Sequence, residues 1–376
     1  MSYQGSYADY LVKQARFERA VAHQPVDRVP CLYMAPAFAP RHMGMTQHKY
    51  CTDADAAIEV TLDSMRTLGD FDGINMMPSG LHPMHLTSLW LSKVLIPGID
   101  LPENNLWQVR ELEVMEPADY DFIVEQGWEA FVQKILPQVA DMEMWQRHVA
   151  WLDQHFPGIA GRFHQAGYLV ASAGLGTVPF EPMCGARSMS KFFLDLYRMP
   201  DRVKAAMDVA APVITAAAIG AAKASGVAGV WLGGWRTASA MLAPEIWDKL
   251  VWPYFRSMAE ALIAEGITPV FHWDQNWTRD LARLLEMPAK KCVLNPDGMT
   301  DVRQAKKLLR DHTAIMGDVP SPLFATGSPA DVRKYVRDLV RDLGPEGLIL
   351  CPGCDAPINT KVENMEAFLE ASREFG

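Results

Sequence analysis

The sequence predicts an α/β protein whose single domain, residues 1–376, is a (β/α)8 barrel. Eight apolar segments of strand length recur along the 376 residues, and helical patterns separate many of them. Near-continuous apolar segments indicate parallel strands that are covered on both faces. Eight such units suit a closed barrel. A doubly wound open sheet is the alternative, but no G-x-G-x-x-G follows the first segment, which disfavours it.

The predicted strands are residues 28–36, 70–78, 167–176, 226–235, 268–276, 290–298, 313–320 and 346–357. Amphipathic helices are predicted at 190–225, 244–266 and 328–344. The first of these helices is interrupted at Pro200, because proline lacks a backbone N–H. The last begins with a capping Ser328 and stops at Gly344, as helix ends prefer.

Two segments depart from the alternation of strands and helices. Residues 1–27 have a helical pattern and form a predicted N-terminal extension. Residues 79–166 form a long insertion between the second and third strands, with a hairpin-like stretch followed by helical patterning. Because long connections in compact domains are frequently functional, we expect 79–166 to lie over or beside the barrel mouth.

Composition limits the classes of protein to which the chain belongs. A formal net charge of −10 argues against nucleic acid or an anionic membrane as the main partner. No apolar run reaches the roughly 20 residues needed to span a bilayer, and the N-terminal residues lack the apolar centre of a secretory signal. The six cysteines show no disulfide-framework spacing, which indicates reduced thiols and a cytoplasmic location.

Polar side chains repeatedly end the predicted strands, where a barrel collects its functional groups. His272 and Asp274 end the fifth strand two residues apart, so both face the same side. We predict catalytic roles for His272, Asp274, Asp297 and Asp318. We predict substrate contacts for Glu181, Arg187, Trp235, Asn295 and Asp355. Asp297 and Asp318 are equally well explained as turn or cap residues, and the lone C-x-x-C ending at Cys354 is weak evidence for zinc.

Five segments taken together resemble the uroporphyrinogen decarboxylase superfamily. They are residues 17–30 (FERAVAHQPVDRVP), 180–203 (FEPMCGARSMSKFFLDLYRMPDRV), 272–274 (HWD), 317–332 (GDVPSPLFATGSPADV) and 353–368 (GCDAPINTKVENMEAF). They occur in the order expected of the superfamily and cover nearly the whole chain. The resemblance implies a (β/α)8 barrel with an N-terminal extension.

The decarboxylases of this superfamily carry an arginine-rich segment after the first strand and an aspartate that holds the tetrapyrrole. Here residues 34–44 lack the arginine pattern, and Gly73 stands where the aspartate would fall, with Asp72 one residue earlier. A shift of one residue turns a strand side chain to the other face. Since a polycarboxylate substrate needs several positioned arginines, decarboxylation of a tetrapyrrole is the alternative and not the leading interpretation.

The chain more closely resembles the methyltransferase branch, whose members take a methyl group from a methylated corrinoid. Members that use a thiol such as coenzyme M hold zinc with His-x-Cys on strand five and a Cys after strand eight. The corresponding residues here are His272, Asp274 and Cys354. Zinc accepts a carboxylate ligand, so Zn²⁺ at these three residues stays open. Because Asp274 replaces a thiolate, tetrahydrofolate is slightly favoured over a thiol as the acceptor.

The resemblance also implies partners. The D-x-H-x-x-G signature of corrinoid-carrying modules is absent from the sequence, so the methylcobamide is expected on a separate corrinoid carrier protein that docks at the barrel mouth. A small-molecule methyl acceptor and a homodimer are further expectations. A non-catalytic ligand-binding subunit of a demethylase system is a second alternative to the methyltransferase.

Overall fold

Parallel strands form the frame of the structure, a computed structural model that describes residues 2–376. The strands are β1 Leu32–Tyr33, β2 Gly73–Met76, β3 Lys93–Leu95, β4 Gln108–Arg110, β5 Leu169–Ser172, β6 Leu175–Thr177, β7 Gly229–Gly234, β8 Thr268–Trp273, β9 Val293–Pro296, β10 Ala314–Met316 and β11 Leu348–Ile349. β1, β2 and β5 pair in that order, and β6 to β11 form a six-stranded sheet in chain order. Within residues 2–376, β3 and β4 are the one antiparallel pair of strands.

Backbone hydrogen bonds join the two parallel sheets into a closed barrel. The Leu32 N–H donates to the Leu350 carbonyl over 2.8 Å, which connects β1 to β11. At the second seam, the Ala173 N–H donates to the Gly229 carbonyl over 2.9 Å. β5 and β6 are thus one barrel strand, interrupted at Gly174, whose φ of +85° favours glycine. With that strand counted once, eight strands close the barrel, which confirms the predicted fold class.

The helices surround this barrel. They are α1 Tyr7–Val21, α2 Phe38–His42, α3 Gln47–Thr52, α4 Ala54–Leu68, α5 His82–Trp90, α6 Ala118–Gln126, α7 Trp128–Val139, α8 Met142–Gln165, α9 Phe180–Arg187, α10 Met189–Arg198, α11 Pro200–Ser225, α12 Pro244–Leu250, α13 Trp252–Ala264, α14 Val302–Leu309, α15 Ser321–Thr326, α16 Pro329–Leu343 and α17 Val362–Phe375. Short 3-10 helices cover Ser239–Met241 and Thr278–Glu286.

The helix predicted at 244–266 is two helices in the structure. α12 ends before Val251, which has φ −123° and ψ −64°, and α13 starts one residue later. Pro253 lies at the start of α13, where its missing N–H costs nothing but where it cannot continue a preceding helix. The Ser328 cap of α16 is present as predicted, with its side chain accepting from the Asp331 N–H.

The helix α11 is long and apolar enough to cross a membrane, judged by length and composition alone. In the structure it packs against β6 and β7 and against the helices α6, α8 and α13. It is therefore one of the helices that cover the barrel, and a single helix of this kind is weak evidence for a membrane span.

The N-terminal extension closes the end of the barrel at which the strands begin, opposite their C-terminal ends. Lys13 of α1 donates through Nζ to the carbonyls of Phe71 and Gly167, each over 2.8 Å, just before β2 and β5 begin. The buried carboxylate of Asp72 pairs with Arg16 and Arg28 on this side. Asp72 is therefore held at the N-terminal end of β2 and does not face the barrel mouth.

The insertion lies between β2 and β5. It contains α5, the β3–β4 hairpin, α6, α7 and α8. Its apolar side chains Trp128, Phe131 and Ile135 belong to the same buried cluster as the barrel residues Phe271 and Leu294. The insertion thus shares one hydrophobic cluster with barrel strands and surrounding helices.

Candidate functional site

Three potential ligand residues converge at the C-terminal ends of two strands. His272 is the fifth of the six residues of β8, Asp274 follows β8, and Cys354 follows β11. The ligand atoms of these three side chains all lie within 4.8 Å of one another. The His272 side chain is 1% exposed and that of Asp274 20% exposed, so the group opens outward on its carboxylate side.

An amide relay fixes the protonation of the His272 ring. Asn295, opposite His272 on β9, donates through Nδ2 to the Met316 carbonyl over 2.9 Å, so its Oδ1 is an acceptor. That oxygen lies 2.8 Å from His272 Nδ1 and also accepts from Asn75 Nδ2 over 2.8 Å. Nδ1 therefore carries a proton. In the neutral imidazole the Nε2 lone pair is free, 3.1 Å from Asp274 Oδ1.

The cluster has an excess of acidic groups. Burial alone would lower the pKa of His272, but Asp274, the Asn295 hydrogen bond and Asp355 together raise it above its ordinary value. Burial raises the pKa of the Cys354 thiol well above its usual range, and the carboxylates of Asp274 and Asp355 add to this. Burial also raises the pKa of Asp355 to about 6. A bound cation would relieve this repulsion.

The same residues fit a divalent metal ion. Asp274 Oδ1 is buried and accepts no hydrogen bond, which leaves a costly unsatisfied acceptor next to the His272 ring. Imidazole nitrogen, carboxylate oxygen and thiolate sulfur are all ligands of zinc, and three protein ligands is the usual number in catalytic zinc sites. His272, Asp274 and Cys354 would hold the ion.

Aromatic rings enclose the His272 side of the cluster. The Trp231 ring stacks on His272 with centroids 4.4 Å apart and planes 20° apart. Trp235 packs against Trp231 at 5.5 Å. Gly233 makes this arrangement possible, because a Cβ at that position would lie 2.2 Å from the Trp235 ring. The imidazole is thus shielded from water by indole on one face.

Glu181 organises the loop that follows β7. Its fully buried Oε1 accepts hydrogen bonds from the backbone N–H groups of Trp235, Arg236 and Thr237, at 2.7, 2.8 and 3.1 Å. The Thr237 hydroxyl donates to the same oxygen over 2.8 Å. This oxygen holds the loop that carries Trp235, whereas Glu181 Oε2 is buried and accepts no hydrogen bond, so the substrate contact of Glu181 stays a prediction.

Arg187 lies in a buried ion pair away from the cluster. Its Nε donates to Asp195 Oδ2 over 2.8 Å, and its NH1 donates to the Met115 carbonyl over 3.2 Å. These bonds join α9 to α10 and to the insertion. They account for the burial of Arg187 and provide no support for the predicted substrate contact.

Two of the predicted catalytic acids, Asp297 and Asp318, accept hydrogen bonds from neighbouring residues. Asp297 accepts from the Gln275 and Met299 N–H groups, one on each oxygen at 2.8 Å, as its interpretation as a turn residue requires. Asp318 accepts from the Tyr335 hydroxyl over 2.8 Å, and burial raises its pKa to about 7. Neither of them hydrogen-bonds to His272. Asn295 is fully buried and positions His272, and its contact with a substrate stays a prediction.

Asp355 lines a small cavity of about 40 Å³ beside the cluster, and Met34 and Met76 also line it. This volume holds no more than a few water molecules. Sequence reasoning missed Asn75, although an amide in the apolar stretch 73–77 was a visible signal. It also missed His85, which lines the same cavity.

Comparisons with known proteins agree with this architecture. The chain is similar to the methyltransferase from Methanosarcina mazei, with 14% sequence identity, coverage of 96% of this chain and 98% of that chain, and a TM-score of 0.70. At that identity the likeness concerns the fold alone. The AP endonuclease, family 2, from Brucella melitensis is 14% identical over 58% of this chain and 84% of its own, with a TM-score of 0.32, too low to support an argument.

No curated protein sequence matches the chain significantly. The sequence model of the family described as uroporphyrinogen decarboxylase (URO-D), by contrast, matches residues 12–121 and 164–375. The matched ranges begin in the N-terminal extension and include every strand of the barrel. Because they cover well over half of its length, the chain belongs to the uroporphyrinogen decarboxylase (URO-D) family.

Proposed function

We propose that this protein is an enzyme that transfers a methyl group between a protein-bound corrinoid and a small acceptor. The observation that carries the proposal is the convergence of His272, Asp274 and Cys354 within 4.8 Å at the strand ends. This set corresponds to the three positions that hold zinc in the methyltransferase branch that the sequence resembles. The similarity of the fold to the Methanosarcina mazei methyltransferase agrees with the proposal.

The position of Asp72 counts against decarboxylation of a tetrapyrrole. Its carboxylate is paired with Arg16 and Arg28 at the N-terminal end of the barrel, and so cannot hold a substrate at the mouth. Among the described residues, the lining of the Asp355 cavity contains neither Lys nor Arg. A polycarboxylate substrate would find no cation there.

The residues of the cluster have separate tasks in the proposed reaction. Asn295 and Asn75 hold the His272 ring in one orientation, with Nε2 directed at the reacting space. Trp231 excludes water on one face, which favours transfer over hydrolysis. A zinc ion held by His272, Asp274 and Cys354 would supply a Lewis acid that lowers the pKa of a thiol acceptor. Without a metal, His272 and Asp274 form an acid–base pair.

The structure bears on the choice of acceptor. A folate acceptor depends on Asp297 and Asp318 to hold the polar edge of a pterin, but the oxygens of Asp297 accept backbone hydrogen bonds and Asp318 accepts one from Tyr335. The metal-compatible cluster suits a thiol. We therefore place a thiol first and keep tetrahydrofolate, which the sequence slightly favours, as the second candidate.

The test uses purified protein, methylcobalamin and either an uncharged thiol, phenylmethanethiol, or tetrahydrofolate. Loss of the methyl group from cobalt changes the visible absorption spectrum, which gives the rate directly. We expect turnover with the thiol and slower or no turnover with tetrahydrofolate. Turnover of a carboxylated tetrapyrrole, with no demethylation by either acceptor, would replace this proposal with the decarboxylase. Binding of an acceptor without any turnover would favour the second alternative, a non-catalytic ligand-binding subunit of a demethylase system.

A further inference from the structure

A second cavity lies between the insertion and the barrel. It measures about 360 Å³ and is lined by residues of β2, α5, α7, α8, β6 and α11. Cavities of about 300–1,000 Å³ are the usual size of small-molecule sites. The cavity beside Asp355, at about 40 Å³, is too small for an organic reactant. We call the larger cavity, whose lining includes Trp128, Trp145 and Phe156, the insertion chamber.

The lining of the insertion chamber is uncharged. None of its described residues is Asp, Glu, Lys or Arg. Trp128, Trp145 and Phe156 contribute aromatic rings, and Leu152 and Met76 contribute aliphatic surface. A charged ligand would lose its hydration there without gaining a partner, at a cost of several kcal/mol. The chamber therefore selects an uncharged and mainly apolar molecule.

One polar group in the lining lacks a partner. His85 contacts the Ser79 hydroxyl through Nδ1 at 2.9 Å, while its Nε2 is buried and makes no hydrogen bond. Burial lowers the pKa of His85 to about 4, with a contribution from His148, so the ring is neutral at pH 7. A ligand with a single hydroxyl or ether group would satisfy Nε2.

The insertion chamber adjoins the candidate site. Met76, Met77, Ser79 and His85 line both the chamber and the small cavity that Asp355 borders. Asp355 in turn directly follows Cys354 of the cluster in the chain. A molecule in the chamber thus lies next to the acidic cluster.

Much of the chamber wall lies outside the family match. That match leaves out residues 122–163, the segment that contributes Trp128, Trp145, Leu152 and Phe156. The matched part of the chain builds the cluster, and the unmatched segment encloses the chamber beside it. A reaction site on the barrel combined with a pocket built by an added segment is a common way for one fold to accept different small molecules.

We propose that the insertion chamber binds the uncharged, aromatic or aliphatic body of the small-molecule reactant, with its one polar group on His85 Nε2. The identification of the bound molecule as a reactant rests on the proposed function, whereas the binding itself does not. The chemical class is a neutral apolar compound with one hydroxyl, ether or thiol group, and not a polycarboxylate.

Calorimetric titration with 2-naphthol tests the chamber without depending on catalysis. This probe is neutral and aromatic and has one hydroxyl group, and 2-naphthoate is its charged counterpart. We expect 2-naphthol to bind at least about tenfold more tightly than 2-naphthoate. His85→Phe, which keeps the ring shape, should weaken 2-naphthol binding about fivefold by removing the hydrogen bond.

A filling substitution and a matched control locate the site. Leu152→Trp on α8 places an indole in the chamber and should abolish 2-naphthol binding. Val149→Trp changes the same helix at a position that is 40% exposed and should leave binding unchanged. Equal binding of the two probes, or unchanged binding in a folded Leu152→Trp variant, would overturn the proposal. Chamber binding of 2-naphthol without methyl transfer in the methylcobalamin assay would instead reject only the proposed function.

Discussion

The imidazole of His272 depends on an amide relay that crosses the barrel interior. Asn295 and Asn75 lie on different strands. The Oδ1 atom of Asn295 faces His272 Nδ1 and also accepts a hydrogen bond from Asn75 Nδ2. Hydrogen-bond partners behind a metal-ligating histidine fix its tautomer and its orientation. These hydrogen bonds therefore keep the proton on His272 Nδ1 and leave the lone pair of Nε2 directed at the cluster.

Asn295→Leu should weaken zinc binding by about 10–100-fold, the usual effect of losing such a partner. The isosteric apolar side chain removes the acceptor for Nδ1 and frees the ring to rotate. Zinc affinity is measured by competition with a chromophoric chelator. Asn104→Leu, on the exposed part of the insertion, is the control and should bind zinc like the wild type. Equal affinity in the two variants would show that the relay does not support the ligand.

Asp318 is predicted to make stability depend on pH. Its pKa is raised from 3.8 to about 7 by burial, so the folded state binds this proton more tightly than the unfolded state. The resulting stabilisation is present at low pH and is lost as the pH rises from about 4 to 7, by roughly 4 kcal/mol at most. Asp318→Asn lacks this proton equilibrium and still accepts from Tyr335.

Urea unfolding of both proteins at pH 4.5 and pH 8 measures this difference. The free energy of unfolding of the wild type should fall, relative to that of Asp318→Asn, between the two pH values. Contributions that the two proteins share cancel in this comparison, so the remaining pH dependence reports Asp318. A difference between them that is the same at both pH values would contradict the assigned pKa.

The residues that sequence reasoning identified are those whose position follows from local pattern. His272 and Asp274 were predictable because side chains two apart on a strand share a face, and Cys354 because of the family resemblance. Glu181 and Arg187 were assigned to substrate because they follow the third predicted strand. In the structure Glu181 accepts from the backbone N–H groups of 235–237, and Arg187 bonds to Asp195 and Met115. Such partners are visible only in the fold.

At the scale of elements, the end of β7 depends on a glycine. A Cβ on Gly233 would lie 2.2 Å from the Trp235 ring, and Trp235 belongs to the loop that Glu181 holds. Gly233→Ala should therefore displace Trp235, destabilise the fold by about 1–3 kcal/mol and slow methylcobalamin demethylation. Gly158→Ala on α8, where a Cβ meets nothing within 4 Å, is the control and should be as stable as the wild type or slightly more stable.

Chemical unfolding and near-ultraviolet circular dichroism, which reports tryptophan packing, distinguish the two glycine variants. Unchanged packing and activity in Gly233→Ala would show that the Trp235 loop has room to move and that the ring is not part of the site.

Element boundaries were less predictable than element types. The third predicted strand is broken at Gly174, and the helix predicted at 244–266 is divided at Val251. Single residues cause both breaks. Gly174 has a positive φ, and Pro253 follows Val251 by two residues; the effect of each depends on local packing. The spacing of apolar residues in the sequence does not change at these breaks, so it does not reveal them.

At the scale of the whole molecule, the barrel supplies the cluster and the insertion supplies the enclosure. The sequence predicted the barrel and an insertion between the second and third strands, but it did not predict the insertion chamber. A cavity is the space left between α7, α8 and the barrel strands, and its shape depends on how these elements pack. The spacing of apolar residues in the sequence carries no information on how these elements pack.

The central claim is that methyl transfer takes place at the cluster of His272, Asp274 and Cys354. The most direct test compares the initial rate of thiol-dependent methylcobalamin demethylation in the wild type, in Cys354→Ala and in Cys292→Ala. Cys292 is buried outside the cluster and controls for the loss of a thiol. We predict that Cys354→Ala is at least about 100-fold slower, equivalent to about 2.7 kcal/mol, while Cys292→Ala keeps most of the rate. A folded Cys354→Ala protein that works at the rate of Cys292→Ala would contradict the claim.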